Sequence, residues 1–188
     1  MAKVKLAPAV EAIHGHVGTM LFKTWQNEEI TGRMPDRTGY VPTANQVAQQ
    51  DKFRLAALYG RTAMADSATK QIYTDASETR GVPVFALMVA DFLNAPVVDN
   101  IDLSRYTGKT GDTMKVRASD DFEVSGVHVA IRATDGTVIE QGAAVKDTST
   151  LLWTYTATTN LSQGQAVSIE VSATDRPGNT TTRTQARS

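Results

Sequence analysis

The spacing of apolar residues changes period twice along the chain. Near the N-terminus Ile13, Val17, the run Met20-Leu21-Phe22 and Trp25 stand among Gly15, Gly18 and Gly32. Short apolar runs punctuated by glycine predict extended structure, here a hairpin of Val17–Trp25 with Glu29–Met34. From Thr43 the period becomes helical. Thr43 follows Pro42 as an N-cap, and Gln46 stands three residues on, as a capping box requires. Ala44, Val47, Ala48, Leu55, Leu58 and Tyr59 then fall on one helical face, which is expected to point inward. A second helix is predicted over Ser67–Glu78, with Ile72 and Ala76 inward and a stop near Gly81. Pro83 opens a further segment, Val84–Leu93, closed by Asn94 and Pro96, which reads either as a third helix or as a short strand.

Beyond Pro96 the period is two. Met114–Ala118 reads as a strand. In Gly126–Ala133 the residues Val127, Val129 and Ile131 face one side, while His128, Ala130 and Arg132 face the other. Asp135-Gly136 is a hairpin turn signal. Leu151, Trp153, Tyr155 and Ala157 alternate, as do Val167, Ile169 and Val171, and a Thr-rich strand over 180–185 ends the chain. About seven short strands in such a length predict a Greek-key β-sandwich of immunoglobulin type. The expected fold class is therefore α+β. A small domain of extended strands plus two or three helices (1–95) with an N-terminal arm precedes an all-β immunoglobulin-like sandwich (96–188).

Composition narrows the function classes. The 188 residues carry 19 Lys+Arg and 20 Asp+Glu, a net charge of −1, spread almost evenly over the two halves. That balance lacks the electrostatic footprint of a nucleic-acid binder. Hydrophobic residues at 41% and charged residues at 21% fit a folded globular chain. With 0 Cys there is no disulfide framework, thiolate metal site or thiol nucleophile. The N-terminus opens with Lys3 and Lys5, but Pro8 and Glu11 interrupt the apolar run, so no Sec-type signal is read. Residues 82–93 are too short to span a bilayer and contain Asp91, so no membrane span is expected. Virion, cell surface and cytoplasm all stay open as locations.

Residues 97–188 resemble a bacterial immunoglobulin-like domain. The likeness is carried by Ala118-Ser119-Asp120-Asp121, Val127-x-Val129-x-Ile131 with Asp135-Gly136, Trp153-x-Tyr155, and Ala173-x-Asp175-x-x-Gly178-Asn179. The first half resembles the start of a group of uncharacterised bacterial and prophage-associated proteins. Its carriers are Ile13-x-Gly15-x-Val17-Gly18, Phe22, Arg33-x-Pro35, and Pro42-Thr43-x-x-Gln46 leading to Phe53. The resemblance implies architecture and transfers no catalytic residue.

Candidate chemistry is sparse. In an immunoglobulin topology the loops carrying Asp120, Asp121 and those carrying Asp175, Asn179 meet at one end of the sandwich, and the first strand brings Asp99 there. Oxygen ligands converging in this way suit Ca²⁺. The same residues also serve as ordinary turn formers that bond their own backbone. No other cofactor is expected. His14 and His16 flank Gly15, and a zinc site would need a further ligand. Gly108-Lys109-Thr110 ends like a phosphate loop, but Leu103 stands where the first glycine is required. Trp153 and Tyr155 read as core residues, with a sugar-stacking platform as the alternative.

The expectation is a non-enzymatic structural protein that works by self-assembly or attachment, as a virion or prophage component or a surface-polymer subunit. Its partners are then further copies or a larger protein assembly. The assembly residues are Ile13, Val17, Met20, Leu21, Phe22 and Trp25, whose β-prone stretch suits addition to a neighbour's sheet edge. The rival expectation is a ligand-binding or adhesion module that displays sandwich loops to a glycan or a protein.

Overall fold

The computed structural model describes residues 2–3, 14–25 and 28–187. It is an α+β chain that divides into two compact units, Met1–Ala44 and Asn45–Ser188. The change of period at Pro96 falls inside the second unit.

The first unit is a four-stranded antiparallel sheet in the order β1-β4-β3-β2, made of β1 (Ala2–Lys3), β2 (Gly15–Val17), β3 (Met20–Trp25) and β4 (Glu28–Arg33). The expected hairpin is present, with Met20 opposite Arg33 and Trp25 opposite Glu28. Val17 lies on the preceding strand and pairs with Met20 across a tight turn. Gly18, at φ 59, supplies the left-handed conformation that this reversal needs. Part of the expected N-terminal arm is paired within the sheet, with Ala2 opposite Thr31 and Lys3 opposite Ile30. Ile13 and the Trp25 side chain lie outside the described residues.

Three helices follow, in the second unit but for the first residue of α1: α1 (Ala44–Ala65), α2 (Ser67–Arg80) and α3 (Val84–Leu93). Asp66 caps α2 by accepting a 2.8 Å hydrogen bond from the Thr69 N–H, and Gly81 ends it at φ 66. The segment after Pro83 is a helix and not a strand. Its length of ten residues and the inward spacing of Leu87, Met88 and Asp91 follow a helical period.

The inward face of α1 differs from the expected one. Ala56, Gly60 and Ala63 are its buried residues, whereas Val47, Leu55 and Leu58 are 43%, 51% and 56% exposed. At Gly60 the absence of a side chain leaves room on the inner face for the Phe85 ring of α3. A Cβ on Gly60 would stand 2.8 Å from the Phe85 ring. Hydrophobicity alone pointed to the larger stripe, which is left outside. In α2, likewise, Ile72 is 38% exposed and Tyr73 is the fully buried residue.

Two four-stranded antiparallel sheets follow. One has the order β5-β6-β10-β9 and the other β12-β11-β7-β8. The strands are β5 (Val97–Asp102), β6 (Thr113–Ser119), β7 (Val124–Ala133), β8 (Val138–Ala143), β9 (Val145–Lys146), β10 (Trp153–Thr156), β11 (Val167–Asp175) and β12 (Thr180–Arg187). Alternation places Met114, Val116, Trp153 and Tyr155 of the first sheet in one apolar core with Val127, Val129, Ile131, Ile169 and Val171 of the second. With no cysteine in the chain, this packing and the ladders hold the strands. Strand β12 carries its threonines outward, where Thr182 meets Ser172 and Thr180 meets Thr174, each at 3.2 Å.

Candidate functional site

The helices meet the β6–β7 turn and the β11–β12 turn through polar contacts made around one buried aromatic. Tyr73 of α2 stacks on Phe122, with ring centroids 4.3 Å apart. The Arg80 guanidinium also lies over the Phe122 ring, 5.4 Å from its centroid, and donates a 2.7 Å hydrogen bond to the Asp121 carbonyl. Asn94, at the end of α3, donates to Asp121 Oδ2 at 2.7 Å. Asn179 donates to the Phe92 carbonyl at 3.1 Å, and Arg176 pairs with Glu123 at 2.7 Å.

At the centre of this junction a carboxylate oxygen from each of Asp91, Asp120 and Asp121 lies within 4.8 Å of the others, a grouping that can hold a metal ion. Asp91 is fully buried. The Tyr73 hydroxyl donates to its Oδ2 and exchanges a further 2.9 Å hydrogen bond with Tyr59. Among the described residues Asp91 Oδ1 has no hydrogen-bond partner. Asp120 Oδ2 accepts the Phe122 and Glu123 N–H groups at 3.0 and 2.9 Å, while its Oδ1 is buried and unpartnered.

Burial is the chief cause of the electrostatic strain here. It pushes the Asp91 carboxyl up to about 7, helped by the charges of Asp120, Asp175 and Asp121 and opposed by the Tyr73 hydrogen bond. Asp120 is raised as well, first by burial and then by Asp121 and Asp175, against its two backbone hydrogen bonds. Tyr73 and Tyr59 are both raised, with desolvation the leading cause in each.

The five residues read from the sequence as oxygen ligands are placed unequally. Asp120 and Asp121 join the cluster. Asp175 faces its own turn, where Oδ1 accepts the Gly178 and Asn179 N–H groups at 2.8 and 2.6 Å and Oδ2 accepts the Asn179 amide at 2.7 Å. This is the turn-forming role of Asp and Asn. Asp99 is exposed at a bulge in β5, where Arg183 donates to the carbonyls of Val98 and Asp99. Asp91 was the missed member. A single Asp at helical spacing from Val84, Leu87 and Met88, inside an otherwise apolar ten-residue run, was the signal that marked it.

Trp153 and Tyr155 are 7% and 4% exposed, so both belong to the core, and neither forms an open stacking platform. A cleft of about 190 Å³ touches Trp153, Lys146, Leu151 and Asp120. Leu151 holds a positive φ of 57 at its rim. His14 and His16 are exposed, and among the described residues no histidine joins a metal-ligating group. The Gly108-Lys109-Thr110 loop is organised by Asp112, whose Oδ2 accepts from the Thr107 N–H at 2.7 Å and the Lys109 N–H at 2.9 Å. Among the described residues no helix is long and apolar enough to cross a membrane.

No family model and no curated protein matches the sequence. Solved structures show partial likeness. An engineered protein is 25% identical with a TM-score of 0.37, over 48% of this chain and 19% of that one. CopC from Methylosinus trichosporium OB3b is 14% identical with a TM-score of 0.36, over 48% of this chain and 89% of that one. A conjugative transposon lipoprotein from Bacteroides eggerthii is 10% identical with a TM-score of 0.27, over 48% and 92%. The chain thus spans about a fifth of the first of these. At such TM-scores the likeness carries no argument about activity.

Proposed function

We propose that the chain is a non-enzymatic structural protein that works by self-association, as one subunit of a larger assembly such as a virion component or a surface polymer. Its β-rich part is read as an immunoglobulin-like sandwich. The strand orders β5-β6-β10-β9 and β12-β11-β7-β8 support that reading, since they follow the two-sheet arrangement of immunoglobulin domains with one added strand.

One observation carries the self-association. In the four-stranded sheet of the first unit, none of the residues whose burial is described is buried. A sheet needs an apolar face covered by something to be stable. Here Val17 and Met20 are cross-strand partners, so they share a face, and Phe22 follows on that face at a spacing of two. Val17 is 72% exposed and Met20 is 48% exposed.

A second copy of this chain is the partner that fits. A net charge of −1 leaves little repulsion between copies. Among the described residues strand β2 stands at the sheet edge, where its backbone groups can accept a neighbouring strand. The exposed stripe of Val47, Leu55 and Leu58 on α1 offers a further apolar surface of the same kind.

Replacing Val17 and Met20 together by glutamate is expected to remove the higher-mass species in light scattering. Both positions are exposed, so thermal unfolding of the second unit should stay within about 0.5 kcal/mol of the parent. Unchanged association in the double variant would overturn the proposal.

A further inference from the structure

We propose that Asp91, Asp120 and Asp121 form a site for a divalent cation of the calcium type, which clasps α3 to the β6–β7 turn. This proposal is independent of self-association. Three features point to a cation. The first is convergence, since carboxylate oxygens from a helix and a turn lie within 4.8 Å of one another. The second is orphaned acceptors inside the protein. Asp91 is fully buried with Oδ1 unpartnered, and Asp120 Oδ1 is buried and unpartnered too. Buried polar atoms almost always find partners, and an unpartnered carboxylate oxygen is among the most costly exceptions. The third is missing compensation. Among the described residues no Lys or Arg forms an ion pair with any of the three, and Arg80 donates to the Asp121 backbone carbonyl instead.

The remaining oxygens are tethered in the way that ligands are usually held. Tyr73 fixes Asp91 Oδ2, the Phe122 and Glu123 N–H groups fix Asp120 Oδ2, and Asn94 fixes Asp121 Oδ2. Such outer contacts orient carboxylates so that their second oxygens face the ion. The donors are all oxygen, with no imidazole or thiolate in the group, which selects a hard cation over zinc or copper. Asp91 is buried, Asp120 half-buried and Asp121 exposed. An ion there keeps an open side on which water can complete its shell.

The test uses the whole chain after treatment with a chelator. Adding Ca²⁺ to well above saturation should raise the melting temperature by about 3–8 °C. Tb³⁺ should show emission sensitised by Tyr73 and Tyr59, and Ca²⁺ should compete it away. Asp121→Asn alters only an exposed side chain and should fold normally, yet lose both responses, as should Asp120→Asn. Absence of any melting shift or sensitised emission in the parent chain would overturn the site. So would responses of the same size in the two asparagine variants.

Discussion

Tyr73→Ala should lower the unfolding free energy by about 3–5 kcal/mol, the range for emptying a buried aromatic site. Tyr73 has no exposed surface, and its ring is stacked on Phe122. Its hydroxyl is also the donor to Asp91, so truncation strands a buried carboxylate at the same time. Tyr73→Phe separates the two contributions. The ring and its stacking persist, and only the hydroxyl is lost, which should cost about 1–3 kcal/mol for the acceptor left unsatisfied. Urea unfolding of both variants at neutral pH measures the difference. A phenylalanine variant as damaged as the alanine variant would show that the hydroxyl dominates and the stacking contributes little. A loss below about 1 kcal/mol in the alanine variant would remove Tyr73 as the link between helices and sheets.

The second large effect concerns Asp91 and pH. Burial raises its carboxyl to about 7 from the ordinary 3.8. Between those values the folded chain keeps a proton that the unfolded chain has released. The folded state then binds more protons, so stability falls as pH rises through the window and levels off above it. The loss is on the order of 4 kcal/mol, at 1.36 kcal/mol per unit of pKa difference. The facing groups are the Tyr73 and Tyr59 hydroxyls and the carboxylates of Asp120, Asp121 and Asp175. Asp91→Asn keeps an acceptor for Tyr73, removes the charge, and adds an amide donor beside the orphaned oxygens. It should flatten the pH dependence and melt higher than the parent above about pH 7 in the presence of a chelator. Thermal melts of both proteins across the window check this. A parent chain that gains stability with rising pH would contradict the assignment.

Much of the fold was legible because local chemistry and the final packing agree. The Asp135-Gly136 turn, the Gly81 stop and the alternation around Trp153 and Ile169 each mark their element without help from distant residues. The inner face of α1 was not legible. Apolar size favoured Val47, Leu55 and Leu58, whereas fit against Phe85 required Gly60, and that fit exists only once α3 is in place. The acidic cluster was half legible for the same reason. Asp120 and Asp121 announce themselves as a pair in a turn. Asp91 is distant in sequence and reads as a flaw in an apolar run, although an inward carboxylate on such a helix requires a partner. Asp175 and Asn179 carry a turn signal and an oxygen-ligand signal at once, and only the hydrogen bonds to Gly178 and Asn179 separate the two.

Self-association is tested most directly by multi-angle light scattering of the whole chain over a concentration series. The mass should climb from the monomer towards its multiples as concentration rises, and the climb should vanish when Val17 and Met20 are both glutamate. A mass that stays monomeric at every concentration, while the amides of β3 and β4 remain protected from hydrogen exchange, would show that the sheet stands without a partner and would contradict it.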